Sequence, residues 1–207
     1  MSPATAPSAS AHASVITGEN SLIRSERRNV AAVGIEVQEG DAYVLNDGSI
    51  VTTKSRAKGI EVDVWEGDAY VRNNGSVTTG SLDEEGDPDK GWRSHGIDVY
   101  AENDAAVINT GDVTVYGNKA RGIRVQTDSG EAFGFSSGSI ETWGQNGTGL
   151  YVQSFGRDSY FNEEYGYTYF YTGHALAGNS GSVVTRGDYA FGVAAVSGYG
   201  YAGALNI

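Results

Sequence analysis

Two linked phrases recur along this chain and leave it little freedom in choosing a fold. One is Gly-Ile-x-Val, at residues 34–37, 59–62, 96–99 and 122–125, with looser copies from Gly149 and Gly192. The other is Ala-x-Val-x-Asn-x-Gly-Ser-Ile, at residues 42–50 and 69–77, with weaker copies starting at Ala105, Ala132 and Ala175. Apolar positions alternate with period 2 inside both phrases, and Gly, Asn and Asp separate them, so each repeat holds three short strands and no helix. The glycine before Ser-Ile falls at 48, 75, 111, 138 and 181, which gives spacings of 27, 36, 27 and 43. A single coil of this size cannot bury its apolar side alone, but coils stacked at the ordinary strand spacing of about 4.8 Å can. The predicted fold is all-β: a right-handed single-stranded parallel β-helix of about five to six coils of roughly 25–27 residues. It occupies residues 31–207, with insertions near 80–92 and 155–173, and residues 1–30 form a flexible leader or N-terminal cap.

Reading columns through the stack separates inside from outside. Counting back from the marker glycine, one position is always alanine (Ala42, Ala69, Ala105, Ala132, Ala175), and another is Asn46, Asn73, Asn109, Ser136 and Asn179. Asparagines stacked on one another can exchange amide hydrogen bonds and satisfy a buried corner, so Asn46, Asn73, Asn109 and Asn179 are expected to form a structural ladder. Thr52, Thr79, Thr142 and Thr185 are expected to form a similar inward column. Ala202, Ala204 and Asn206 fall in the alanine, valine and asparagine columns of one more coil, so the chain is expected to be a fragment that stops within a repeat.

Composition narrows function from the other side. The net charge of −12 repels phosphate backbones and anionic membrane surfaces, which argues against nucleic acid as a partner. Without cysteine there is no disulfide framework and no thiolate metal site. His12, His95 and His174 are scattered, and no nucleophile motif or phosphate loop occurs, so no cofactor is expected.

The stretch Gly147-Thr148-Gly149-Leu150-Tyr151-Val152-Gln153-Ser154-Phe155-Gly156 resembles a repeat of Gram-negative autotransporter (type V secretion) passenger domains. So does Asn179-Ser180-Gly181-Ser182-Val183-Val184-Thr185 followed by residues 187–193. The resemblance covers roughly residues 31–207. It implies export, a β-helical spine, placement at the bacterial cell surface or outside the cell, and membrane attachment only through a C-terminal β-barrel that this sequence does not contain. Passengers of this kind share the repeat while differing in activity, so the resemblance speaks to architecture.

Three features break the repeat or decorate it. The outward column beside Gly-Ile-x-Val holds Glu36, Glu61, Asp98, Arg124, Tyr151 and Ala194, with Asp63 on the same face, and stacked carboxylates could serve a β-helical hydrolase or lyase. The first insertion gathers Asp83, Glu84, Glu85, Asp87 and Asp89, an oxygen-rich loop that could take calcium, although its spacing is not that of an EF-hand. The second insertion carries Tyr165, Tyr167, Tyr169 and Tyr171 at period 2, with Tyr160 nearby, a candidate aromatic binding surface that could instead fold back over the outward stripe of Tyr43, Tyr70 and Phe133. Arg24, Arg27 and Arg28 read as protection of the N-terminal edge.

The expected function is therefore a non-catalytic stalk or adhesive shaft of an autotransporter passenger, binding a host-surface protein, a glycan or another copy of itself. The competing expectations are a polysaccharide hydrolase or lyase working through the outward carboxylates, and a self-association module.

Overall fold

Equivalent residues in successive coils stand 26 to 29 apart, and 36–37 or 43 apart across the two insertions. The computed structural model describes residues 11–156, 159–162, 167–170 and 172–207. Among these, every long strand pairs in parallel with its equivalent one coil away, as in Ala42↔Ala69, Ile50↔Val77 and Ile35↔Val62. The first sheet consists of Ala11–Thr17, Gly40–Asn46, Ala69–Asn73, Ala105–Asn109, Ala132–Ser136, Ala175–Asn179 and Ala202–Asn206. The second consists of Leu22–Ser25, Ser49–Thr52, Ser76–Thr79, Asp112–Tyr116, Ser139–Trp143 and Ser182–Arg186. The third consists of Ala31–Val37, Lys58–Val64, His95–Ala101, Arg121–Thr127, Thr148–Ser154 and Phe191–Ser197. The chain visits the three sheets in turn and is a parallel β-helix.

Side chains alternate strictly in and out, and the inward ones make columns. Ile60, Ile97, Ile123 and Leu150 stack in one, Val62, Val99, Val125 and Val152 in the next, and all are fully buried. Where leucine replaces isoleucine at 150, the facing position of the first sheet shrinks to Gly134, whose added Cβ would meet Leu150 Cδ1 at 3.0 Å and Val152 Cγ2 at 2.7 Å. The marker glycines have a different reason. A Cβ at Gly75, Gly111, Gly138 or Gly181 would collide with the backbone carbonyl of the marker glycine one coil earlier, so only glycine lets the coils close to stacking distance at this corner.

The asparagine ladder forms at that same corner. Asn46 Nδ2 donates to Asn73 Oδ1 at 2.6 Å, Asn73 Nδ2 to Asn109 Oδ1 at 2.7 Å, and Asn109 Nδ2 to Ser136 Oγ at 3.0 Å. Ser136 is too short to pass the bond on, and Asn179 Oδ1 is left buried without a partner before the ladder resumes from Asn179 Nδ2 to Asn206 Oδ1 at 2.7 Å. The threonine column behaves otherwise. Thr52, Thr79 and Thr142 are buried, but their hydroxyls have no hydrogen-bond partner, and Val115 stands in register between Thr79 and Thr142, so this column packs as methyl groups and is not a polar ladder.

Two expectations need correction. Residues 11–30 already belong to the helix, which does not start near residue 31: Ala13, Val15 and Thr17 pair with Ala42, Val44 and Asn46, and Thr17 Oγ1 donates to Asn46 Oδ1 at 2.5 Å. This gives six complete coils and a seventh first-sheet strand among the described residues. The first coil escapes a phrase search because threonine replaces its ladder asparagine and four residues, 18–21, separate the strands where Asp47 and Gly48 suffice one coil later. The second correction concerns register. Glu36 lies opposite Asp63, and Glu61 lies opposite Gly34, so Glu36 does not stack on Glu61. The first Gly-Ile-x-Val copy stands 25 residues before the second and is two residues out of phase with the 27-residue offset. The column formed by Gly59, Gly96, Gly122 and Gly149 is filled in the first coil by Ala32, next to the Ala31↔Lys58 pair.

Ladder continuity sets measurable stability. Asn73→Ala strands a buried amide donor and a buried acceptor in neighbouring coils and should lower stability by about 3 kcal/mol. Ser136→Asn should close the gap to Asn179 Oδ1 and raise stability by about 1 kcal/mol. Chemical denaturation of the two variants beside the parent protein measures both, and an unchanged midpoint for Asn73→Ala would show the ladder to be energetically idle.

Candidate functional site

The outer face of the first sheet carries two adjacent rows. The position before each alanine holds His12, Asp41, Asp68, Asp104, Glu131 and His174 in successive coils. These side chains are partly committed: Asp41 Oδ1 accepts from the backbone N of Asp68 at 3.1 Å, Asp68 Oδ1 from that of Asp104 at 3.1 Å, and Asp104 Oδ1 from that of Glu131 at 2.8 Å. Asp41 Oδ2 lies 3.4 Å from His12 Nδ1, and the second oxygen of Asp68 and of Asp104 is left for solvent or ligand. The row after each alanine holds Tyr43, Tyr70, Ala106, Phe133 and Leu176. Tyr43 and Tyr70 stack face to face, with centroids 5.4 Å apart and planes within 7°. Ala106 then leaves a depression before the exposed ring of Phe133. Together the rows line an open groove of 620 Å³ that runs from His12 to Phe133. It has an aromatic wall, an alanine floor and a carboxylate rim.

The carboxylates of the third sheet form a different arrangement. Asp98 is buried, with its side chain 3% exposed, and both of its oxygens are engaged. Arg124 takes it in a two-pronged pair, with Nη2 at 2.7 Å from Oδ2, and Lys58 Nζ lies 2.7 Å from the same oxygen. Lys58 also pairs with Glu61. Burial alone would raise the Asp98 carboxyl, but Arg124, with His95 and Lys58, holds it down at about 2. Asp63 behaves in the opposite way: burial raises it to about 6, opposed by Lys58 and reinforced by Glu61 and Asp98. His95 is buried, its Nδ1 accepts from the backbone N of Arg121 at 3.1 Å, and burial lowers its pKa to about 4 against a pull upward from Asp98. The ladder of Glu61, Asp98 and Arg124 is thus a neutralised charge column across adjacent strands, and the groove of the first sheet lies elsewhere.

The two insertions are hairpins. Ser81–Leu82 pairs antiparallel with Pro88–Lys90. In the turn between them Asp83 Oδ1 accepts from the backbone N of Glu85 at 3.1 Å and of Asp87 at 2.8 Å, so Asp83 is spent on closing the turn. Among the described residues no three His, Asp or Glu side chains are placed to hold a metal ion, so the structure does not bring Asp83, Glu84 and Asp87 into a calcium shell; the Asp89 side chain lies outside the description. In the second hairpin, Ser159–Asn162 pairs with Tyr167–Phe170, which sets Tyr160 opposite Tyr169 with Tyr167 two residues before it. Tyr165 and Tyr171 lie outside the described residues.

Sequence reading missed the corner between the second and third sheets. One residue per coil there adopts the left-handed backbone region, and the six are Asn29, Arg56, Arg93, Lys119, Asn146 and Tyr189, with φ between 54° and 57°. Three of them are cations, and only their recurrence in the turn that follows each second-sheet strand could have revealed the set. No family model, no curated protein and no solved structure matches the chain.

The buried titrating groups fix how stability responds to acid. Below pH 6.5 the unfolded chain protonates His95 while the fold resists until about pH 4, so His95 removes stability as pH falls across that window. Asp63 binds its proton more tightly in the fold and adds stability as pH falls from about 6 to its ordinary value near 3.8. Asp98 contributes stability that is present above pH 3.8 and lost as pH falls toward 2. Melting curves should therefore show opposed trends in two variants: Asp63→Asn melts progressively lower from pH 6.5 to 4, whereas His95→Gln melts higher over the same range. Parallel curves for the two variants would contradict the assignment.

Proposed function

We propose that this chain is part of a non-catalytic, cell-surface attachment protein of the kind that autotransporter passengers represent, and that it binds a neutral glycan along the outer face of the first sheet. The observation that carries this reading is the groove in which the Tyr43–Tyr70 stack and Phe133 face a rim of Asp41, Asp68, Asp104 and Glu131. Sugar rings present flat C–H faces that lie against aromatic rings, and their hydroxyls donate to carboxylates, so aromatic plates beside a row of acceptors suit an uncharged oligosaccharide. The same rim disfavours an anionic ligand in this groove. Repetition of the rows coil after coil suits an extended chain of sugars better than a single ring.

A hydrolase or lyase reading draws support from Asp63, whose pKa near 6 suits proton transfer near neutrality. Against it, Asp98 is held ionised and buried between Lys58 and Arg124, which leaves it neither a proton to give nor access to a substrate. Release of reducing sugar from a polysaccharide panel, abolished by Asp63→Asn, would favour that reading over attachment.

Binding of the wild-type chain to an array of neutral oligosaccharides tests the attachment reading. The double variant Tyr43→Ala, Tyr70→Ala should bind at least tenfold more weakly, a loss of about 1.4 kcal/mol or more. Failure of the wild-type chain to bind any neutral glycan would reject the reading.

A further inference from the structure

We propose that the corner between the second and third sheets binds a linear acidic polysaccharide through Arg56, Arg93, Lys119 and Arg121. Cations gather at one corner of this chain. At the corner between the third and first sheets, Glu39, Asp41, Glu66, Asp68, Asp104 and Glu131 are all exposed. At the corner between the second and third sheets the exposed tips include Arg28, Arg56, Arg93 and Lys119, with Lys54 and Arg121 half-buried beside them; the acids of this corner, Glu26, Asp188 and the Asp83–Asp87 turn of the first hairpin, line neither of the two depressions described below. Third-sheet strands of seven residues separate the two corners by about 23 Å, more than twice the screening length in physiological salt. A ligand seated in these depressions meets cationic lining in spite of the net charge of −12.

These cations are not consumed by internal pairing. Among the described residues, Asp98 is taken by Lys58 and Arg124 and Glu26 by Arg24, and Arg56, Arg93, Lys119 and Arg121 have no carboxylate within salt-bridge distance. What they have instead is aromatic support. Arg56 and Arg93 flank the Trp92 ring, at 4.7 and 4.6 Å from its centroid, and Arg121 lies 4.4 Å over Tyr151. Such contacts fix a guanidinium plane without neutralising it, which leaves its donors free for an anion.

The surface there is concave. Arg93, His95, Lys119, Arg121, Arg124 and Asn146 line a depression of 460 Å³, and no carboxylate is among its lining residues. A second depression of 330 Å³, lined by Arg28, Asn29, Ser55, Arg56 and Trp92, continues along the same corner one coil earlier. Cations recur here once per coil, so two coils, about 10 Å, match the length of a disaccharide unit. The partly exposed Trp92 ring between the two depressions offers a surface for a sugar ring.

The backbone argues that the cations serve something other than stability. Left-handed φ is disfavoured for side chains with a Cβ, and asparagine is among the residues that tolerate it best. Asparagine occupies the position in coils one and five, at Asn29 and Asn146. Arg56, Arg93 and Lys119 occupy the same conformation, with φ of 57°, 54° and 57°, where asparagine would be less strained. Retaining long cations at strained positions is the pattern expected where the side chain has a ligand.

The test uses the full chain against immobilised heparin as the sulfated probe and polygalacturonate as the carboxylate probe, at physiological salt. The wild-type chain should be retained by at least one of them and released by added salt. The triple variant Arg56→Asn, Arg93→Asn, Lys119→Asn should bind at least tenfold more weakly while melting at the same temperature or higher. If the triple variant melts lower, Arg56→Glu with Lys119→Glu, both at exposed tips, carries the same binding expectation. The Tyr43→Ala, Tyr70→Ala variant should bind both probes as the wild type does, which separates this corner from the groove of the first sheet. No retention of the wild-type chain on either probe, or retention of the triple variant within twofold of wild type, overturns the proposal. So does equal or tighter binding of single-stranded DNA, which would assign the corner to nucleic acid. Concentration-dependent self-association lost in the triple variant would assign it to a second copy of this chain and overturn it as well.

Discussion

Stacking at the strand spacing is the constraint on which the rest of this molecule depends. Because each coil lies about 4.8 Å from the next, every residue has its own equivalents as nearest neighbours along the axis, and a residue type is acceptable only if it tolerates a copy of itself. The marker glycines show this in its hardest form, since a Cβ at Gly75 would strike the carbonyl of Gly48 and one at Gly111 that of Gly75. Asparagine tolerates itself by being donor and acceptor at once, which is why Asn46, Asn73 and Asn109 can lie buried together. Serine cannot extend far enough, and the ladder breaks where it appears.

Charge meets the same constraint and resolves it differently on each face. On the third sheet, Glu61 and Asp98 are like-charged neighbours, and Asp98 becomes buriable because Lys58 on one side and Arg124 on the other pair with it. At the corner between the third and first sheets, Asp41, Asp68 and Asp104 repeat one sign, and each carboxylate takes up a backbone N–H from the coil that follows. Such bonds tie each coil to the next and offset repulsion between neighbours. Net charge, a sum over both corners, says nothing about either. The −12 that argues against anionic partners for the whole molecule coexists with a corner whose lining is cationic.

How far the sequence could be read follows from the same physics. The interior was legible because packing forces equivalent residues to match: the alanine, valine and asparagine columns, the seventh first-sheet strand at Ala202–Asn206 and both hairpin insertions could all be placed from spacing. The first coil was not, because Thr17 and a longer turn keep the geometry while discarding the phrase. Glu36 was misplaced for the converse reason, a matching phrase standing two residues out of phase with the geometry. Outward positions carry no such signal. The stripe of Tyr43, Tyr70 and Phe133 could be read from the repeat, but not that Ala106 opens a depression within it or that Arg56 and Arg93 close on Trp92, since these depend on what neighbouring coils place alongside.

A scaffold of this kind also biases what its surface can recognise. A catalytic centre needs unlike groups converging on one point, and stacked strands instead set like groups in a line. Where this chain does assemble unlike groups, around Asp98, they neutralise one another and the carboxylate is buried. The two concave surfaces, by contrast, are built from rows: carboxylates beside aromatic rings on the first sheet, cations beside indole and phenol rings at the opposite end of the third. A row has a repeat length and a direction, and the ligand that gains most from it is one with a repeat of its own. Affinity for such a ligand grows with the number of coils engaged, because each further contact is made at the high effective concentration set by the contact before it. The rows therefore favour extended polymers over small molecules, and they do so on both surfaces for the same geometric reason.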